Sequence, residues 1–445
     1  MKIHFMKTQF IIALVILSFA QVTNAQETKE FIADGIKVLL KPSNKSIVSA
    51  RLFVKGGTAN YTKEKEGIES LAFSMAIEGG TKTRNKNEFN NEAEKLGTRF
   101  QSSTSLDHGN LSVTCIKNSW DASWNLFSDA ILNPLFDSLE FNKQKEKMIA
   151  GIKERQSNPD ETLNELAMDH AFAGKNYAKK TDGSELSISK IKLNELRNYF
   201  KNTVCKSRCF LVIVGNITEE DIRAKIKTSL AKLNQGKPAI PEARFLITKS
   251  SERIVDRKIA TNYLIGIMSA PQFNTEDGFP MMMAYNILYD RLFVELRTKR
   301  SLSYAPAAYY NRDAVANPYS ALYISTTKPK EAIKAIVDVL DSAKTQGITE
   351  KELNDQKQTF LTTYYMKLET AEAQSAALGR AEILGNWKLD ELFNEKVKAT
   401  TLKQVNAAIK QYSNAIIWTY LGKKEMVSKT DFIQPKKSSS NSVPY

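Results

Sequence analysis

Histidine and cysteine are nearly absent from this sequence, with three of each in 445 residues. The cysteines are Cys115, Cys205 and Cys209, too few for a disulfide scaffold, so a hydrophobic core has to hold the fold. A cysteine nucleophile needs a histidine base, and His108 and His170 stand in no recognisable pairing with one. Both are expected to be satisfied or surface residues. Cys205 and Cys209, in VCKSRCF, would bridge only if a turn brings their Cα atoms within about 7 Å. After the first residues the chain also lacks any apolar run of the roughly 20 residues that a spanning helix requires. Lys and Arg number 63 against 49 Asp and Glu, a formal charge of +14, yet no aromatic-plus-basic motif of a nucleic-acid binder occurs. Basic residues such as Lys143, Lys145, Lys147 and Lys153 alternate with acids, as on solvated helix faces. The excess therefore implies solubility and weak attraction to anionic surfaces, not nucleic-acid recognition.

What is present begins with residues 1–25, MKIHFMKTQFIIALVILSFAQVTNA, in which Lys2 and Lys7 precede an apolar run from Phe10 to Ala20 and a small-residue end at Ala25. That is the pattern of a secretory signal peptide. Gln26 and Glu27 follow it, not the cysteine of a lipid anchor, so the mature chain is expected to be exported and soluble, and periplasmic in a Gram-negative host. The roughly 420 remaining residues suggest two or three domains.

Element order repeats along those residues. In the first half, strands Ile36 to Pro42 and Ile47 to Gly57 precede helices near 67–78 and 86–96, a strand pair in RFQSSTS and NLSVTCI, further helices, and a buried strand from Cys209 to Ile217. The second half offers TNYLIGIMSA as a strand and GFPMMMAYNILYDRLFVELRTK as one helix. Strands APAAYYNR and YSALYISTTK follow, then helices, then the strand Ala415 to Gly422. The expectation is an α+β protein of two homologous α/β-sandwich domains, each a mixed or antiparallel sheet with a layer of helices behind it. They would span 26–237 and 251–432, joined by a linker at 238–250 that Pro238 and Pro241 stiffen, with a disordered tail at 433–445.

One stretch carries chemistry by what it omits. Gly67 to Thr81 reads GIESLAFSMAIEGGT. In the inverted zinc motif H-x-x-E-H, two histidines four residues apart on a helix hold the metal and the glutamate activates water. This chain has the setting of that motif without its residues. Together with NPLFD and ERQSNP in the first half and RLFVELRTKRSLSY in the second, the stretch makes the mature chain resemble the pitrilysin or insulinase-like metallopeptidases, family M16. The resemblance is to the two-domain half-units related to mitochondrial processing peptidase subunits, and it implies the LuxS/MPP-like metallohydrolase fold.

Matched residue by residue, the resemblance puts Ser70 and Ser74 where the histidines would be, Phe73 at the general-base glutamate, and Gly151 at the later ligand glutamate. Serine hydroxyls are poor zinc ligands, phenylalanine takes no proton, and glycine has no side chain. A one-residue slip would bring in Glu69 or Glu78, and Glu154 lies three residues past Gly151, but none restores two histidines. No metal or other cofactor is therefore expected on this chain. The family's second-half pattern R-x-x-x-x-x-x-Y is kept as Arg297 and Tyr304, which the resemblance casts as donors to the substrate backbone or oxyanion. On residue chemistry alone, Arg297 would be a surface helix residue with an ion-pair partner and Tyr304 a core residue. The resemblance then implies a non-catalytic subunit lending Arg297 and Tyr304 in trans to a heterodimer partner with an intact H-x-x-E-H, zinc being held there, and extended peptides as substrates. The alternative is a non-enzymatic peptide-binding or assembly subunit.

Overall fold

The computed structural model describes residues 27–434, so the expected signal peptide and all but the first two residues of the expected tail lie outside it. Alternating apolar stretches assemble two sheets. The first holds β1 (Lys29–Ala33), β2 (Ile36–Pro42), β3 (Ile47–Lys55), β4 (Arg99–Thr104), β5 (His108–Ile116) and β6 (Cys209–Gly215), in the order β1-β2-β6-β3-β5-β4. The second holds β7 (Ser251–Asp256), β8 (Asn262–Ser269), β9 (Ala307–Asn311), β10 (Tyr319–Thr326) and β11 (Ile417–Gly422), ordered β7-β11-β8-β10-β9. With β1 set aside, the two orders coincide. Each sheet has one parallel pair, β2 with β6 and β7 with β11, and is otherwise antiparallel. The chain is α+β with the repeat built into its topology.

Period-two alternation decides what each face of a sheet meets. On β3, Val48, Ala50, Leu52 and Val54 pack in one core with Leu71, Ala76, Trp124 and Phe127 from helices of the same half. The opposite face carries Phe53, which joins Phe210, Val212 and Val214. The sequence pattern predicts helices behind one face only, but here the second face is covered by a helix of the other half. Ala371 and Leu378 of the Ala371–Ile383 helix, with Trp387, close over Phe53. The exchange is reciprocal. Leu163, Ala167 and Ala171 of the Pro159–Ala171 helix pack on Ile265, Ile267, Ala321 and Ile417 of the second sheet. At roughly 1.5–3 kcal/mol per fully buried large apolar side chain, the exchange fixes the halves against each other.

Polar contacts follow the same seam. Ser49 and Ser375 share a 3.0 Å hydrogen bond, and Lys37 pairs with Glu382 at 2.9 Å. His170 sits between Thr419 Oγ1 at 3.2 Å and Ser251 Oγ at 3.1 Å, a satisfied histidine. His108 departs from expectation, being neither satisfied nor on the surface. It is buried on β5 with Nδ1 unpartnered, its ring 5.5 Å from Phe53, and desolvation pushes its pKa down to about 4. β5 supplies a half-polar strand whose His108 side chain the sheet pairing carries inside.

One further expectation is corrected. The helix read through residue 299 is α-helical only over Gly278–Leu292 and continues as a π-helical turn, Phe293–Lys299. β1 and β7, short and weakly patterned, carry no sequence signal strong enough to place them; the Glu219–Thr228 helix is missed despite its Thr218 cap, acidic first turn and the i,i+4 pair Ile222 and Ile226. Cys205 and Cys209 are buried free thiols, with the Cys209 N–H donating to the Cys205 carbonyl across one turn at 3.0 Å.

Candidate functional site

The helix Ile68–Glu78 begins at Gly67, whose φ of +86° only glycine adopts readily; a Cβ there would also stand 2.6 Å from Ile188 Cδ1. Between its ends the helix is buried almost all round, with Ile68, Glu69, Leu71, Ala72, Phe73, Met75, Ala76 and Ile77 inside. Ser70 and Ser74 are the half-exposed positions, one turn apart on one face. Phe73 turns inward instead, edge-on to Phe200 at 6.1 Å and so close to β5 that a Cβ on Gly109 would lie 2.5 Å from its Cε2.

Both serines are already hydrogen-bonded. Ser74 Oγ accepts from Gln144 Nε2 at 2.8 Å, and Ser70 Oγ donates to Asp182 Oδ1 at 3.4 Å. Asp182 Oδ2 in turn meets Arg155 Nη2 at 3.4 Å. Gln144, Gly151 and Arg155 recur at helical spacing on Ser138–Ser157, which sets Gly151 on the face that carries the two contact residues. The atom nearest to a Cβ built on Gly151 is Arg155 Nη1, 3.8 Å away. A guanidinium thus lies where the resemblance would put a ligand carboxylate. Sequence reading passed over Gln144, Arg155 and Asp182; the four-residue step from Gly151 to Arg155 was the available signal.

Zinc does not fit these residues. Two hydroxyls are committed elsewhere, the one nearby carboxylate is paired with an arginine, and a fixed cation repels a dication. Among the described residues no group of three His, Cys, Asp or Glu is placed to hold a metal ion. Glu69 belongs to a different cluster, accepting from Tyr199 Oη at 2.5 Å and Asn60 Nδ2 at 3.2 Å while its Oε1 finds no partner. Desolvation raises its carboxyl to about 7. Glu78 and Glu154 are exposed.

The second-half residues have another geometry. The π-helical turn ends with the Arg300 N–H on the Glu295 carbonyl at 3.2 Å, then Ser301 in the left-handed region at φ +51°, then the Leu302 N–H on the Leu296 carbonyl at 2.7 Å. That path folds the chain back over its own last turn. Arg297 Cζ consequently stands 4.2 Å from the Tyr304 ring centroid and 4.7 Å from that of Phe293. Neither the ion pair nor the core position that residue chemistry suggests is found. Glu295, the nearest acid in sequence, is engaged by Lys299 at 3.1 Å and Arg300 at 2.7 Å, and Tyr304 is 79% exposed. Among the described residues Arg297 has no carboxylate partner, and it is half-buried beside the exposed Tyr304.

The family described as Insulinase (Peptidase family M16) matches residues 37–185, and the one described as Peptidase M16 inactive domain matches 190–360. The chain belongs to peptidase family M16. Within the family, this M16 protein is 22% identical over 389 residues to an uncharacterized zinc protease YmxG of Bacillus subtilis, covering 85% of this chain and 93% of the relative. It is 23% identical to the non-peptidase homolog YmxG of Helicobacter pylori, over 81% and 85% of the two chains. The α subunit of the mitochondrial-processing peptidase of Solanum tuberosum is 22% identical over 85% and 78%. Among solved structures, the peptidase M16 inactive domain from Pseudomonas fluorescens superposes with a TM-score of 0.83 at 20% identity, over 89% of this chain and 98% of that one. The periplasmic protease PqqL from Escherichia coli gives 0.77 at 15% identity, this chain covering 47% of its length. With no H-x-x-E-H anywhere in its sequence, this M16 member is of the inactive type.

Proposed function

We propose that this protein is the non-catalytic subunit of an exported M16 zinc metallopeptidase, providing peptide-binding surface and the Arg297/Tyr304 pair in trans to a partner subunit with an intact H-x-x-E-H. The observation that carries the reading is the stacked pair of half-buried Arg297 and exposed Tyr304, with no acid paired to the guanidinium among the described residues. A guanidinium offers five N–H donors in a fixed fork, and a phenol one O–H donor. Held against the rings of Tyr304 and Phe293, Arg297 is oriented before a substrate arrives. Donors of this kind suit a peptide carbonyl on which negative charge develops, worth about 3 kcal/mol each when preorganised. Zinc in the partner's site would supply the activated water.

Substrate would be held as an added strand. β4 forms one edge of the first sheet, pairing only with β5, and its residues alternate between exposed and half-buried. Backbone hydrogen bonds to such an edge give affinity with little sequence selectivity, which suits unfolded or extended peptides. The mitochondrial-processing peptidase relatives, named as subunits, and the periplasmic neighbour support the assembly and the compartment by likeness.

Mixing the purified chain with an H-x-x-E-H-bearing partner from its native host and following peptide cleavage tests the role. Stimulated cleavage that Arg297→Ala and Tyr304→Phe abolish is the expected result. Turnover unchanged by both substitutions overturns it. Peptide binding with no zinc peptidase copurifying would instead favour the assembly-subunit reading.

A further inference from the structure

In the second half, the helices Glu350–Lys367 and Ala371–Ile383 and residues 388–393 enclose a cleft of about 240 Å³. Two guanidiniums line it with little to satisfy them. Arg312, just past β9, lies between the rings of Phe273 and Phe393, its Cζ 5.0 and 5.6 Å from their centroids. Among the described residues its one hydrogen bond runs from Nη1 to the thioether of Met282, at 3.1 Å. Arg380 reaches Asp313 only at 4.0 Å, the outer limit of an ion pair. A third group has the opposite need. Asp390 Oδ2 is shielded from solvent and accepts no hydrogen bond. Shielded charged groups are normally paired, so Arg312 and Asp390 are the signal, with the more exposed Arg380 at the rim of the cleft.

The unmet chemistry has a definite composition. Guanidinium forks match a planar carboxylate. A lone carboxylate oxygen matches an N–H donor. The wall between them is apolar, with Tyr364 stacked on Phe393 at 4.8 Å and Leu384 and Leu389 alongside. Arg312, Arg380 and Lys367 line the cleft against Asp313 and Asp390, a balance of one positive charge that favours a single negative charge over a phosphate dianion. The volume falls below the roughly 300–1,000 Å³ of sites for larger ligands and accommodates one residue.

We propose that this cleft binds an apolar α-amino carboxylate, with Arg312 and Arg380 on the carboxylate, Asp390 on the nitrogen and the aromatic wall on the side chain. Two sources share that chemistry: the carboxyl-terminal residue of a peptide and a free amino acid. The site needs no partner subunit. It is read on this chain alone, so its failure leaves the in-trans role standing, and the reverse also holds.

Calorimetric titration of the purified chain with N-acetyl-phenylalanine, N-acetyl-phenylalaninamide and free phenylalanine tests the assignment. The expected result is saturable binding of an acid and at least about tenfold weaker binding of the amide, the loss of charge-assisted hydrogen bonds. Arg380→Gln alters a half-exposed side chain whose ion pair is at the 4.0 Å limit, and weakens the acid by a similar factor; Arg312→Gln does so more strongly. Tighter binding of the N-acetylated acid identifies a peptide terminus, and tighter binding of free phenylalanine an amino acid. Absence of binding by both acids, or equal binding of acid and amide, overturns the proposal.

Discussion

Gly379 of the second half lies directly on the Phe53 ring of the first, so close that a Cβ on the glycine would overlap the ring carbons. Phe53 is itself stacked on Phe210 at 5.0 Å and has no room to retreat. Gly379→Ala should therefore cost about 1–3 kcal/mol of stability, the usual penalty for overpacking. Thermal unfolding checks this, and a single transition moving as a whole is expected, because the exchanged helices make each half part of the other's core.

Glu69 makes stability depend on pH. Its carboxyl is raised to about 7 in the folded chain from an ordinary value of 4.5, with desolvation as the leading cause. Between those values the folded state keeps a proton that the unfolded state has lost, so this group's contribution declines as pH rises from about 4.5 to 7 and is flat above that. The difference is on the order of 3 kcal/mol. Urea midpoints at pH 5 and pH 8 should differ less in Glu69→Gln than in the wild type, with the variant the more stable of the two at pH 8.

Metal binding is open to a constructive test. Ser70→His, Ser74→His and Gly151→Glu together rebuild three ligands, yet Arg155 Nη1 lies 3.8 Å from the new Cβ at 151. Adding Arg155→Ala to that triple variant should tighten zinc by about tenfold or more, given the energy of like charges at this separation. Competition with a chromogenic chelator reads the difference. Equal affinities with and without Arg155 would show that the guanidinium does not control the site.

Arg297→Ala and Tyr304→Phe separate function from folding. Tyr304 is 79% exposed, so its variant should unfold within about 0.5 kcal/mol of the parent. In the reconstituted complex each loss should lower kcat about 10²- to 10³-fold. Arg297→Lys keeps the charge but loses the planar stacking on Tyr304 and Phe293, and should recover only part of the activity.

Much of the fold could be read from residue order. Strands such as Cys209–Gly215 are apolar throughout, and paired candidates such as Arg99–Thr104 and His108–Ile116 lie one short turn apart. Edge strands were harder to see. Lys29–Ala33 and Ser251–Asp256 bury little and owe their extended form to the neighbour they pair with. The π-helical turn at Phe293–Lys299 was invisible for a related reason, since its composition is that of an ordinary helix and only the path to Tyr304 distinguishes it.

The sequence by itself determined which electron-pair donors exist: Ser70, Phe73, Ser74 and Gly151 offer a metal almost nothing, and no folding can add a ligand that the chain does not encode. It also set the doubled element order, because hydrophobic period is a local property. Tertiary structure alone decided that the halves exchange helices, that Asp182 reaches both Ser70 and Arg155, and that Arg312, Arg380 and Asp390 share one cleft. Those are contacts between segments far apart in the chain, and their energies depend on distances that no local pattern records.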